Sequence, residues 1–199
     1  MARSDGSLRQ MAQLIHHLFT FADYVRFEED SAIKHEFLGG RVWATAGGSP
    51  RHAAIAARII ASLADQLRGK PCEVFTSDLR IRVSATGLGT YPDASVVCGK
   101  LEVDPEDPKG HTITNPVLVV EVLSPSTEEY DRTEKRAHYQ AMPSVREIML
   151  VAQDERRVEI WRREGEEWTS HTTRDTGLAR VDSIACTLEL SEIYRDPLS

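Results

Sequence analysis

Residues 117–123, Val-Leu-Val-Val-Glu-Val-Leu, form an apolar run with one carboxylate, Glu121, inside it. The run is bounded by Pro116 and by Ser124-Pro125, and its length suits a strand buried on both faces. An ionised carboxylate removed from water costs several kcal/mol (roughly) unless it is paired or binds a metal. Glu121 therefore requires a partner, and whatever supplies that partner constrains how the rest of the chain folds around this strand.

The surrounding pattern is mixed. Residues 8–30 carry apolar residues at helical spacing (Leu8, Met11, Leu14, Ile15, Leu18, Phe19), with a second short helix expected around Ala22 to Glu29. The segment "HEFLGGRVWA" reads as a hairpin turning at Gly39-Gly40. In 49–70, Ser49 can cap a helix and Pro50 suits its first position, with Gly69 and Pro71 at its end. The alanine-rich face of that helix (Ala53, Ala56, Ala57, Ile60, Ala64, Leu67) is expected to pack against a sheet. Strands follow at 72–76, 79–83 and 93–98, with 84–92 read as a plain turn and the acidic segment 99–115 as a solvated loop. After the strand 116–123, Ser126 with Glu129 reads as a capping box opening a helix that stops before Pro143. Strands at 146–152, 157–163 and 167–173 and a short helix at Ser191 to Tyr194 complete the chain. The order predicts a single α/β (α+β) domain with a mixed β-sheet flanked by helices. Within it, residues 1–30 are read as an N-terminal helical segment and 31–199 as the domain proper.

Several classes are set aside by composition. The chain has 24 basic and 31 acidic residues, a net charge of −7, which is not the footprint of a general nucleic-acid binder. No apolar run approaches a bilayer span, and residues 1–27 lack the pattern of a secretory signal. Three scattered cysteines, Cys72, Cys98 and Cys186, without a C-x-x-C spacing, predict free buried thiols in a cytoplasmic protein and no structural zinc.

Candidate partners for Glu121 are few. Asp93 follows Pro92 at the head of an apolar strand, and Glu36 sits beside the early hairpin. Lys135 lies on the helix after Glu121, and Tyr139 and Met142 share its face. If the strands of Asp93 and Glu121 are neighbours, two carboxylates converge, and a cation between them relieves their repulsion. Hard oxygen ligands of that kind suit Mg²⁺ or Mn²⁺, which with a lysine is minimal equipment for phosphodiester hydrolysis. The same residues allow a plainer reading: Asp131 and Lys135 as an exposed i,i+4 pair, and Asp93 as a turn residue.

The segments "YPDASVV", "PVLVVEVLSPST" and "YDRTEKRAHY" resemble the bacterial Uma2 family, within the PD-(D/E)XK superfamily of restriction-endonuclease-like proteins. The resemblance implies a metal-dependent endonuclease acting on DNA. In it Asp93 and Glu121 are the metal-binding acids, Glu36 is an additional acid from the N-terminal part, and the Val122 carbonyl faces the metal. The signature places a lysine two positions after the second acid, where this chain has Leu123; Lys135 is the matching lysine, shifted onto the following helix. Asp78 matches a family position but is explained equally by a turn, and His52 fits either local packing or catalysis. Trp43, Trp161 and Trp168 are read as core or interface anchors, and Arg80 and Arg82 as phosphate contacts or a solvated strand face. A homodimer is expected from the symmetry of duplex cutting, with the C-terminal strands around Trp161 as an interface. The alternatives are an inactive nuclease-fold module that binds nucleic acid or protein, and a hydrolase of small phosphoesters.

Overall fold

The computed structural model describes residues 18–45 and 47–196. Helix α1 (Phe21–Glu29) is capped by Thr20, whose hydroxyl accepts from the Asp23 N–H while the Asp23 carboxylate accepts from the Thr20 N–H. Leu18 and Phe19 precede this cap and are not helical, so the expected helix across 8–30 is not continuous; its first part lies outside the described residues. The hairpin β1 (His35–Leu38) and β2 (Arg41–Ala44) turns at Gly39 and Gly40, both with positive φ. Helix α2 (Pro50–Gln66) begins on the Ser49 cap with Pro50 in its first turn, as its sequence indicates.

Among the described residues, thirteen strands form three sheets. The largest contains β3 (Cys72–Thr76), β6 (Ala94–Cys98), β8 (Leu118–Leu123), β9 (Glu147–Ala152), β10 (Arg157–Glu164) and β11 (Glu167–Arg174), ordered β11-β10-β9-β8-β6-β3. Within it β8 runs parallel to β9 and antiparallel to β6. A second sheet, β2-β1-β5-β4-β7, adds β4 (Arg80–Val83), β5 (Leu88–Thr90) and β7 (Thr112–Ile113). The strands β12 (Leu178–Val181) and β13 (Cys186–Glu189) pair separately, and α5 (Leu190–Ile193) ends the described chain. The crossover from β8 to β9 carries α3 (Glu128–Tyr130), a π-helical turn at Asp131–Lys135, and α4 (Arg136–Gln140).

Strand β8 is buried on both faces, and its alternation divides the core. Leu118, Val120 and Val122 join Ile55, Ile59 and Leu63 of α2 together with β12, β13 and α5. Val119 and Leu123 face the other way, into a cluster with Tyr139, Met142 and the second sheet. Glu121 shares their parity, so it points toward the crossover helix.

Five expectations need correction. The buried face of α2 is Ile55, Ile59, Leu63 and Leu67, while Ala53 and Ala57 are exposed, because the larger side chains bury more apolar area. The segment 84–92 contains strand β5, and 99–115 contains β7 and buries Asp104 and Asp107. Asp107 is buried because it pairs with Arg80 at 3.0 Å and accepts from Thr112. The capping box does not form: the Ser126 hydroxyl hydrogen-bonds Ser124 instead. Finally, Cys72 and Cys98 form a disulfide rather than remaining free, because they lie directly opposite on neighbouring antiparallel strands β3 and β6. Cys186 is the free, buried cysteine.

Candidate active site

One cleft of about 810 Å³ is lined by β1, β2, the N-terminal half of α2, the entrance of β6, the C-terminal half of β8 and the π turn of the crossover helix. Glu36, His52, Asp93, Glu121, Val122 and Lys135 all line it. The strands put the acids there. Ala94 of β6 pairs with Val120 of β8, which brings Asp93 beside the Glu121–Val122 end of β8. Asp93 accepts the Val122 N–H at 2.6 Å, so the two strand ends are tied at the cleft floor.

Lys135 answers the question that Glu121 poses. Its Nζ lies 3.0 Å from Glu121 Oε1 and 3.0 Å from Glu36 Oε1, with Asp131 Oδ1 at 3.7 Å. The side chains of Lys135 and Glu121 are only 7% and 5% exposed, so this is a buried ionisable pair rather than a solvated surface pair. Tyr139 donates its hydroxyl to Glu121 Oε1 at 2.6 Å, and Thr90 donates to Glu36. Asp131 and Lys135 are the first and last residues of the π turn, and both line the cleft.

Burial dominates the electrostatics. It pushes the Glu121 carboxyl up to about 8, against the pull of Lys135, and the neighbouring Asp131 and Asp93 add to the rise. Burial likewise raises Asp131. For Lys135 burial opposes the charge, but Glu121, Tyr139, Glu36 and Asp131 outweigh it and hold the amine well above its ordinary value. His52 Nε2 lies 3.2 Å from Asp93 Oδ2, and this hydrogen bond, reinforced by one to the Val122 backbone, raises the imidazole above its ordinary value. Gly48 makes room for that ring: a Cβ there would stand 2.5 Å from His52 Nδ1.

The structure does not bring every candidate together. Asp78 is exposed, pairs with Lys34 at 2.6 Å, and does not line the cleft. Arg80 is buried on Asp107 and Thr112, and Arg82 lies over the Phe21 ring at 3.7 Å, so neither is a solvated strand face nor free for phosphate. Trp43, Trp161 and Trp168 all pack against the core cluster on the Glu121 side of β8; Arg136 and Arg163 cover Trp161 and Trp168, and Trp43 also lines the cleft. Two contributors escape the sequence reading. Asp131 looks like half of an ordinary helix pair, and only the π turn and burial distinguish it. Tyr139 is legible as a neighbour of Lys135 but not as a donor to Glu121. Among the described residues, no three His, Cys, Asp or Glu side chains converge as a ready ligand set. The acids are turned instead onto the chain's own donors.

Comparison with known proteins gives a consistent picture. The sequence pattern of the family Uma2, described as "Putative restriction endonuclease", matches residues 21–192. The chain is 35% identical over 175 residues to slr1290 of Synechocystis sp., covering 87% of this chain and 90% of that protein. It is 30% identical over 149 residues to sll1609 of the same organism, covering 75% and 83%. Both are described only as uncharacterized. The fold is similar to a crystal structure from Anabaena variabilis described as "a putative nuclease belonging to DUF820". That similarity has a TM-score of 0.73 at 17% identity, covering 88% of this chain and 97% of that one.

Proposed function

The chain belongs to the Uma2 family and has the restriction-endonuclease-like fold of the PD-(D/E)XK superfamily, and from that premise we propose that it is a metal-dependent endonuclease hydrolysing phosphodiester bonds in DNA. The observation that carries the proposal is the meeting of Glu36 and Glu121 on the Lys135 amine, with Asp93 tied to Val122 in the same cleft.

The donor chemistry fits Mg²⁺ or Mn²⁺. The carboxylates of Asp93 and Glu121 and the carbonyl of Val122 are hard oxygens, which are the ligands these ions take. Glu36, Asp93, Glu121 and Asp131 share the cleft with Lys34, Lys135 and His52, so four acids face three basic groups and a cation is electrostatically welcome. Asp93, Glu121 and Val122 would hold the ion, which when bound supplies a Lewis acid for the phosphoryl oxygen and acidifies a water. Lys135 presents a fixed positive charge to the negative charge that develops on the phosphoryl group, and Glu36 and Asp131 hold its amine in place. Tyr139 fixes the orientation of Glu121 from the core side. His52 orients Asp93. A two-fold dimer remains part of this reading, since a single cleft per chain cuts one strand at a time.

The test is Asp93→Asn. Magnesium-dependent cleavage of DNA is expected to disappear while the melting temperature stays within a few degrees of the parent. Undiminished cleavage by the variant would end the assignment. One observation favours a second reading, a binding module without chemistry: the acids are engaged by Lys135, Tyr139, Thr90 and His52 rather than by one another. On that reading wild-type protein binds DNA and leaves it intact in Mg²⁺ and in Mn²⁺ alike.

A further inference from the structure

Most charged groups of the cleft are deeply set. Glu36, Glu121, Asp131 and Lys135 are 4–6% exposed, which places them at the bottom of a concavity rather than on a rim, while the Asp93 side chain is 19% exposed. A duplex presents its phosphates on a convex cylinder and cannot follow them there, whereas one flexible strand can. The walls also carry an aromatic ring. Trp43 lies directly across β1–β2 from Glu36, so its half-buried ring stands on the same side of the hairpin as that acid. The alanine side of α2, Ala53, Ala57 and Ile60, lines the same cleft as Trp43, and so does Ile33, 58% exposed. Small side chains there leave room in the cleft beside an aromatic ring, and a flat nucleobase suits such a space. Stacking on an aromatic ring is open to any base of a single strand, because every base has a π-face, whereas the bases of an intact duplex are already stacked.

We infer that the cleft takes single-stranded DNA, one base stacked on Trp43 beside the Ala53–Ala57–Ile60 wall and the adjoining phosphate over Glu36, Glu121 and Lys135. The inference rests on the nuclease reading for what happens at that phosphate, but the slot itself is a matter of binding. The substrate class is then a free strand, a flap or a frayed end, and an intact duplex is engaged only where it opens.

Fluorescence anisotropy in Ca²⁺ with a labelled oligonucleotide of about 15 nucleotides, single-stranded or annealed to its complement, tests this. The single strand is expected to bind at least about tenfold more tightly than the duplex, Trp43→Ala to lose about tenfold, and Trp43→Phe to lose less than about threefold. Ala57→Leu, at an exposed helix position, fills the gap without disturbing the core and is expected to weaken single-strand binding likewise. It decides the matter even if Trp43→Ala fails to fold. Equal or tighter duplex binding, no binding of either form, or unchanged affinity in Ala57→Leu and Trp43→Ala overturns the slot. If the wild type also cuts duplex in an Asp93-dependent way, the nuclease reading stands without the slot. Single-strand binding that depends on Trp43, without cleavage in Mg²⁺ or Mn²⁺, keeps the slot and removes the chemistry.

Discussion

Lys135 is held by three carboxylates and contacts almost no water. A buried cation in that position is matched to the acids around it rather than added to them, so removing it leaves Glu36, Glu121 and Asp131 facing one another without their shared amine. Lys135→Met is expected to cost about 3–5 kcal/mol, the usual cost of breaking a buried pair by deleting one partner. Urea unfolding at pH 7 measures it, and a cost below about 1 kcal/mol would mean that the acids are solvated after all. Glu121 gives a pH signature of its own. Its carboxyl is pushed by burial from an ordinary value of 4.5 to about 8, so between those values the folded chain holds a proton that the unfolded chain has released. Stability from this group is therefore present at low pH and is lost as pH rises through that window, on the order of 1.4 kcal/mol per pH unit at most. Metal-free protein is expected to unfold at lower urea at pH 8 than at pH 5, and Glu121→Gln to flatten that dependence. An equally steep dependence in the variant would assign it to another group.

At the scale of elements, the crossover helix decides whether the site exists. The π turn spans Asp131 to Lys135 and inserts one residue into the winding of 128–140, and both of its end residues line the cleft. Deleting Thr133, an exposed residue of that turn, restores regular winding and rotates one side of the turn against the other by about 100°. The expected outcome is a folded protein with its melting temperature lowered by several degrees and metal-dependent cleavage abolished. Retained cleavage would show that the π turn is incidental to the site. This element also marks the border of what the sequence reveals. Strand β8, the Ser49-capped helix and the Lys135–Tyr139 face are legible because burial, capping and helical period each leave a pattern of residues. The π turn is not legible, because Asp131 and Lys135 have the same spacing in either winding. Strands β5 and β7, three and two residues long, are too short to show a period. The two sides of α2 are both apolar, so composition did not say which one the core takes; the branched residues Ile55, Ile59 and Leu63 take it and leave the alanines to the cleft.

Across the whole molecule, the site is assembled from residues 36, 52, 93, 121 and 135, none of which neighbours another in sequence. Sheet register does most of the assembly: pairing of β6 with β8 delivers Asp93 to Val122, and pairing of β1 with β5 delivers Glu36 toward Thr90. The same long-range pairing sets Cys72 against Cys98, which spacing alone had left as separate thiols. The Arg80–Asp107 pair shows why local reading of charge fails at this scale, since a strand arginine and a loop aspartate become one buried unit only in the folded sheet. The central claim is that the acids of β6 and β8 take up one divalent ion between them. Calorimetric titration of Mn²⁺ into the wild type, Asp93→Asn and Glu121→Gln tests it most directly. The account predicts a saturable heat in the wild type that each substitution removes; an isotherm unchanged by both substitutions, or no heat in the wild type, contradicts it.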